Sequence, residues 1–317
     1  MKISAKVLSV FVLAFCFCIP LFYIGCSADE PSIKEGTVWV KGSVHNHTGY
    51  SDGTETIAQI AQKYRKGGYR FLWITDHSNA INQDEDKFHE CREEVAKENY
   101  GGLVAIMGLE VTVAREPTGK DSNCHIGKYS EAALPYMYTR NYAPEDVDYL
   151  LNLFDDEDAI YCLNHVRTCP AWEEKVGSFQ CMELFNDLGL TDNFRKQFDI
   201  YMKSVKEGHR LWVVSGVDYH MPAQDILGEY VTNIYAEDYS RESIIKALQQ
   251  GHTIASKDVD VVSVTPLPSI RNQFVRDDKP IISGFIHGLP GTKWSKLQVF
   301  KNGTFYMELN LTKQTAT

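Results

Sequence analysis

The 317-residue chain has no CxxC pair, no internal repeat, no glycine-rich dinucleotide fingerprint after its first strand, and little basic charge. Without paired cysteines, a thiolate zinc site or a thioredoxin-type motif is not expected. Without the glycine fingerprint, an open doubly wound nucleotide-binding sheet loses its main support. The net charge of −10 comes from 42 acidic against 32 basic residues, and such a surface repels nucleic acid and anionic lipid. A polynucleotide substrate is therefore not expected. Hydrophobic content of 44% is ordinary for a globular protein and ample for a sizeable core.

Acids are also missing from the first 25 residues, which carry Lys2 and Lys6 and then an almost unbroken apolar run over Val7–Ile24. A polar stretch, Ser27–Glu35, follows. This is the layout of a signal peptide. Gly25 directly before Cys26 resembles a bacterial lipobox, in which the cysteine is lipidated, although Tyr23 stands where Leu is usual. The expectation is an exported, membrane-anchored lipoprotein on the periplasmic or cell-surface face. Residues 1–25 would be the signal peptide, Cys26 the lipidation site and 26–36 a polar tether. A plain signal peptide or an N-terminal membrane anchor is the other reading. Five cysteines lie beyond the export segment: Cys91, Cys124, Cys162, Cys169 and Cys181. An odd number leaves at least one free thiol unless a bridge joins two chains. Cys162 and Cys181 sit in apolar strand runs and read as small buried hydrophobes.

From about residue 37 to 250, strand and helix patterns alternate. Val38–His45, Phe71–Thr75, Leu103–Leu109, His125–Tyr129, Ala159–Leu163, Phe179–Phe185 and Leu211–Val217 read as strands. Thr56–Lys66 carries Ile57, Ile60, Ala61 and Tyr64 at helical spacing and stops at Gly67–Gly68. The charged Gln83–Asn99 reads as a solvated helix, and Glu145–Phe154, Asp192–Glu207 and Arg241–Gln250 complete the helices. Alternation of this kind favours a parallel sheet or barrel. After Ser256 the texture changes to short β-type runs with a turn at Asn302–Gly303, read as a small β-rich appendage over 256–317.

Seven of the apolar runs end abruptly in polar residues: His45–Asn46–His47, Asp76–His77, Glu110, His125, Asn164–His165, Asn186 and Asp218–Tyr219–His220. Six of the seven deliver an N or O donor suited to a divalent transition metal. Donors at the carboxyl ends of successive strands surround one pocket in a (β/α) barrel, because every βα loop opens on that face. Asp52, before Gly53, can fold back to the same pocket. For Asp76, orienting a neighbouring His ring and capping a helix are equally good readings; for Asn186, a polar contact and backbone satisfaction are. His89, His209, His252 and His287 fall elsewhere and are read as structural.

In order and placement, His45–Asn46–His47–Thr48–Gly49–Tyr50–Ser51–Asp52–Gly53, Thr75–Asp76–His77–Ser78, Gly108–Leu109–Glu110, His125, Asn164–His165 and Gly216–Val217–Asp218–Tyr219–His220 resemble the PHP (polymerase and histidinol phosphatase) family over about residues 36–255. The resemblance implies an α/β fold, a distorted (β/α)7 TIM-like barrel over 37–255. It also implies three metal positions: one on His45, His47, Glu110 and Asp218, a second on Glu110, His125 and His165, and a third on Asp52, His77 and His220. The family often has Pro after the fifth-strand His, whereas Val166–Arg167 follows His165 here.

Mixed His and carboxylate donors suit two to three Zn, Mn or Fe ions. Clustered metals lower the pKa of a shared water and supply a hydroxide nucleophile. The expected activity is therefore metal-dependent hydrolysis of a small phosphate ester, with His45, His47, Asp52, Glu110 and His220 as catalytic candidates. Arg167, Arg115 and Lys128 are candidates to grip substrate. A carboxyl or carbamate ester is the alternative substrate, since Trp39–Val40–Lys41–Gly42–Ser43–Val44–His45 and the appendage resemble the exported, carbaryl-hydrolase-like branch. A non-catalytic surface lipoprotein that binds metal or ligand is a third reading, opposed by the complete donor set. A polymerase-associated or histidine-biosynthetic role would conflict with export.

Overall fold

The computed structural model describes residues 9–14, 38–82, 84–112, 124–134, 147–154, 159–166, 169, 172–186, 191–222, 229–257, 259–265, 283–288, 296–301 and 303–310. In chain order the strands are β1 Ser9–Ala14, β2 Val38–Ser43, β3 Phe71–Ile74, β4 Val104–Met107, β5 Leu109–Thr112, β6 His125–Tyr129, β7 Ile160–Leu163 and β8 Cys181–Asn186. They continue as β9 Trp212–Gly216, β10 Tyr230–Ala236, β11 Thr253–Lys257, β12 Val259–Thr265, β13 Ser283–Gly288, β14 Lys296–Lys301 and β15 Thr304–Asn310. The helices are α1 Ile57–Lys66, α2 Ser78–Ile81, α3 Glu85–Lys97, α4 Val147–Phe154, α5 Thr191–Lys206 and α6 Arg241–Gln249. None of the described helices is long and apolar enough to cross a membrane.

The strands read as continuous apolar runs because both of their faces are buried. Side chains alternate along a strand, and the alternation sorts them into two cores. Phe71 and Trp73 join Val40, Val44, Ile106, Tyr129, Cys162, Cys181 and Val214 in one cluster. Leu72 and Ile74 join Ile57, Ile60 and Tyr64 of α1 and Phe88, Cys91 and Val95 of α3 in the other. The charged helix α3 is thus amphipathic rather than solvated throughout. Helix α1 starts at a reciprocal Thr56–Gln59 capping box and ends at Gly67, with Gly68 in the left-handed region (φ 74°).

The barrel closure is not formed among the described residues. The strands make two five-stranded sheets, ordered β11-β10-β2-β3-β4 and β5-β6-β7-β8-β9. The single strand expected over Leu103–Leu109 breaks at Gly108, where the chain passes from the first sheet to the second. A Cβ at Gly108 would stand 2.6 Å from the Lys128 carbonyl and 2.9 Å from the Trp73 ring, so only glycine fits this passage. At the far side, β9 meets β10 through side chains: Thr232 Oγ1 donates to the Ser215 carbonyl at 3.0 Å and accepts from the Ser215 amide at 2.9 Å. These hydroxyl bonds take the place of ladder bonds. Isolated bridges at Asn46–Tyr219 and His77–Glu110 draw the strand ends together.

Pairing is also less parallel than alternation suggests. The β2–β3–β4 and β7–β8–β9 runs are parallel, but β10 runs antiparallel to β2 and β11, and β6 antiparallel to β5 and β7. Strands β10 and β11 are not among the seven strands read from the sequence. The β-rich texture after Ser256 forms the β12–β13 ladder and the β14–β15 hairpin. Ser9–Ala14, inside the expected signal peptide, pairs parallel to β14.

Candidate metal centre

Strand β2 leads into Val44–His45–Asn46–His47, all buried. Asn46 points away from its neighbours: its Nδ2 donates to the Trp73 carbonyl at 2.8 Å, and Tyr64 Oη donates to its Oδ1 at 2.6 Å. Alternation then aims His45 and His47 the same way, with their Nε2 atoms 3.0 Å apart. Both lie 3.3 Å from Asp218 Oδ1, and His45 Nε2 is 3.0 Å from Glu110 Oε1 while His47 Nε2 is 3.2 Å from Oε2.

Glu110 reaches onward. Its Oε1 is 3.1 Å from both His125 Nδ1 and His165 Nε2, which are 3.1 Å from each other, and its Oε2 is 3.3 Å from His77 Nδ1. At the outer edge Asp52 Oδ2 lies 3.4 Å from His77 Nε2 and 3.3 Å from His220 Nε2. All nine candidate ligands therefore lie in one cluster. Three groups could each hold an ion: His45, His47, Glu110 and Asp218; His77, Glu110 and His125; and His47, Asp52, His77 and His220. His47 and His77 are shared between groups, a feature the linear motifs did not reveal.

The donor chemistry fits divalent cations. Nδ1 of His47 is buried and has no hydrogen-bond partner in the structure, 3.6 Å from Asp52 Oδ1. The carboxylates also demand positive charge. Burial opposes a charged His47, but hydrogen bonds to Asp218 and Glu110 outweigh it and raise its pKa to about 10. His45 and His165 rise likewise against burial, chiefly through Glu110. Burial would raise Glu110, Asp218 and Asp52, yet the surrounding imidazoles hold all three low. His125 goes the other way, lowered by burial in spite of Glu110. His165 (φ 25°) and Asp218 (φ 53°) are the non-glycine residues with positive φ among those described, and both are in the cluster. Such strain persists where the surroundings over-determine a functional geometry.

Supporting residues were harder to see in sequence. Asp76 neither orients an imidazole nor caps α2, whose N-cap is His77 without a side-chain bond. It accepts from the Thr48 amide and hydroxyl, both at 2.7 Å, and from the Ser51 hydroxyl, and so braces the turn that carries Asp52. Asn164 Nδ2 donates to Glu110 Oε1 at 2.9 Å. Glu183, absent from the candidate list, accepts from His45 Nδ1 at 2.6 Å and from Asn186 Nδ2 at 2.9 Å. Its signal was available: a lone carboxylate within the buried run Cys181–Phe185 needs partners.

Lys128 is buried on the face of β6 opposite His125, with its ammonium donating to the Ala132 carbonyl at 2.8 Å. Burial and direction both turn it away from the cluster. Arg115, Arg167 and Cys26 lie outside the described residues. Cys124 and Cys169 form a disulfide that ties the residue before His125 to the segment after His165, leaving Cys91, Cys162 and Cys181 free and buried.

A PHP domain model matches residues 43–260. The DNA polymerase/3'-5' exonuclease PolX of Bacillus subtilis is 28% identical over 85 residues, which cover 25% of this chain and 15% of that protein. The chain thus spans only a small part of that relative's length. A two-domain protein of Bacteroides vulgatus containing a predicted PHP-like metal-dependent phosphoesterase is 19% identical, with a TM-score of 0.46 over 70% of this chain and 66% of that one. The lesion-specific endonuclease PfuEndoQ of Pyrococcus furiosus is 16% identical, with a TM-score of 0.48 over 69% and 58% of the respective chains. The family match covers more than half of the chain and every residue of the His and carboxylate cluster, and the chain belongs to the PHP domain family.

Proposed function

We propose that this chain is an exported metal-dependent hydrolase that cleaves a small phosphate ester at a centre of two to three divalent ions. One observation carries the reading: the imidazoles of His45, His47, His77, His125 and His165 all lie within 3.3 Å of one carboxylate, Glu110, with Asp52, Asp218 and His220 in the same cluster. Divalent ions bound there supply Lewis-acid charge and an activated water. Glu110 and Asp218 hold the donor rings in place from the floor. At the rim, Asp52 and His220 face solvent, with side chains 54% and 25% exposed. Nδ1 of His220 donates to the Asp218 carbonyl at 2.9 Å, which leaves the lone pair on Nε2, the atom that faces Asp52 at the rim.

The rest of the reading is that residues 1–25 direct export, Cys26 carries the lipid, 37–255 form the hydrolase domain in a barrel-like arrangement and 256–317 an appendage. Mass spectrometry of the membrane fraction should find a diacylglyceryl group on Cys26 that disappears in Cys26→Ala. Elemental analysis of the reconstituted protein should find two to three of Zn, Mn or Fe per chain, and less than one would sink the multinuclear site. A panel of phosphomonoesters, phosphodiesters, and carboxyl and carbamate esters tests the bond. Turnover of carbonyl esters alone would keep the centre and replace the phosphoesterase reading with that of the carbaryl-hydrolase-like branch.

A further inference from the structure

Glu183 is a fully buried carboxylate in the middle of β8, where its neighbours Met182 and Leu184 are apolar. A buried charge is strongly unfavourable unless several donors satisfy it. Here they do, in an ordered way. Oε1 serves His45 Nδ1 at 2.6 Å, while Oε2 accepts from the His165 amide and from Asn186 Nδ2, both at 2.9 Å. The neighbouring strand makes room: a Cβ on Gly216 would stand 1.7 Å from Glu183 Oε1 and 3.1 Å from the Cβ of His45.

We propose that Glu183 is a positioning residue that acts on two metal positions at once from behind the donor cluster. This rests on the metal-centre reading above. Holding the proton on Nδ1 of His45 leaves the lone pair on Nε2, the atom that points at His47, Glu110 and Asp218. The adjacent negative charge also makes that nitrogen a stronger donor. The second effect runs through the backbone. His165 sits at φ 25°, and its amide, fixed by Glu183, orients the turn that presents its ring to Glu110 at 3.1 Å. Filling space alone would have been done by an apolar side chain.

The test loads the metal-free full chain with cobalt(II) chloride and follows visible absorption and competition against a chelator. Wild type should take up two or more equivalents. Glu183→Gln keeps the size of the side chain but removes its charge and one acceptor. It should bind the tightest equivalent about 10–100-fold more weakly and shift the visible bands. Asn186→Ala, which removes one donor to Oε2 and leaves His45 its partner, should weaken binding in the same direction by less. Unchanged affinity and spectrum in folded Glu183→Gln would overturn the proposal, whatever its melting temperature. Should that variant not fold, an unchanged Asn186→Ala would overturn it instead. Wild type that binds less than one equivalent would sink the metal-centre reading, and the proposal with it; wild type that binds normally beside an unchanged variant would sink the proposal alone.

Discussion

The cluster has a deep half and an outer half, and they are built differently. His45, His47, His165, Glu110 and Asp218 are buried, and they issue from strand ends braced by other buried polar groups such as Asn164 and Glu183. Asp52, His77 and His220 stand at the rim, and Asp52 depends on a turn held by Asp76. Rigid strands fix the deep donors before any ion arrives, which is the condition for tight, specific binding. A rim held by one turn can yield to an incoming group. The deep half therefore reads as the permanent part of the centre and the rim as the part that meets substrate.

The largest effect that could break this contrast is at Glu110, which lies within 3.3 Å of His45, His47, His77, His125 and His165. Glu110→Ala should lose two ions per chain by elemental analysis and all measurable turnover. An active variant would contradict the shared role. Asp52→Ala comes next. It should lose the rim ion while the deep ions stay, with activity falling steeply but metal content by only one. Loss of every ion from Asp52→Ala would mean that the rim and floor are a single cooperative site.

The disulfide sharpens the contrast from the side. Cys124 adjoins His125 and Cys169 follows His165, so the bridge closes a loop of sequence separation 45 that carries both of these imidazoles. In the chain-entropy account a bridge of that span stabilises a fold by about 4 kcal/mol. Cys124→Ser should lower the melting temperature by the equivalent of that loss and loosen an ion held beside His125 by His77 and Glu110. The group at Asp52, which meets that one only at His77, should change less, as cobalt titration of the variant would report.

Much of the centre was legible because its information is local. A donor at the end of an apolar run announces both its strand and its direction, and His45, His77, His165 and Asp218 each carry that signal, whereas His125 opens β6 and Glu110 lies inside β5. What the sequence hid is relational. That Glu183 bonds His45 across 138 positions depends on how β8 and β9 lie beside β2, and on the empty side of Gly216. Asp76 reads from sequence equally as a ring-orienting group or a helix cap, but the 48–51 turn offers it three donors instead. Strands β10 and β11 hid because they break the alternation on which the barrel reading rests. Lys128 illustrates the converse: flanking a donor in sequence places a residue on the wrong face of a strand every second position.

The smallest expected effect is on protons, and it has opposite signs for the empty and the loaded protein. His47, raised from 6.5 to about 10 because its bonds to Asp218 and Glu110 outweigh burial, stabilises the metal-free fold fully below 6.5 and stops doing so as pH rises toward 10. Glu110 and Asp218 are lowered, so their contribution is present above the ordinary carboxylate range and lost only as pH falls through their depressed values. Ions must displace the imidazole protons of His45, His47 and His165, so loading releases protons and tightens as pH rises. Raising the pH above 6.5 should therefore lower the melting temperature of the metal-free protein while raising that of the loaded one. Asp52→Ala, which leaves Glu110 and Asp218 their contacts with His45 and His47, should preserve both trends. If the metal-free protein instead gains stability over that range, the deep imidazoles are not held protonated by their carboxylates. The distinction between a pre-charged floor and an open rim would then fail.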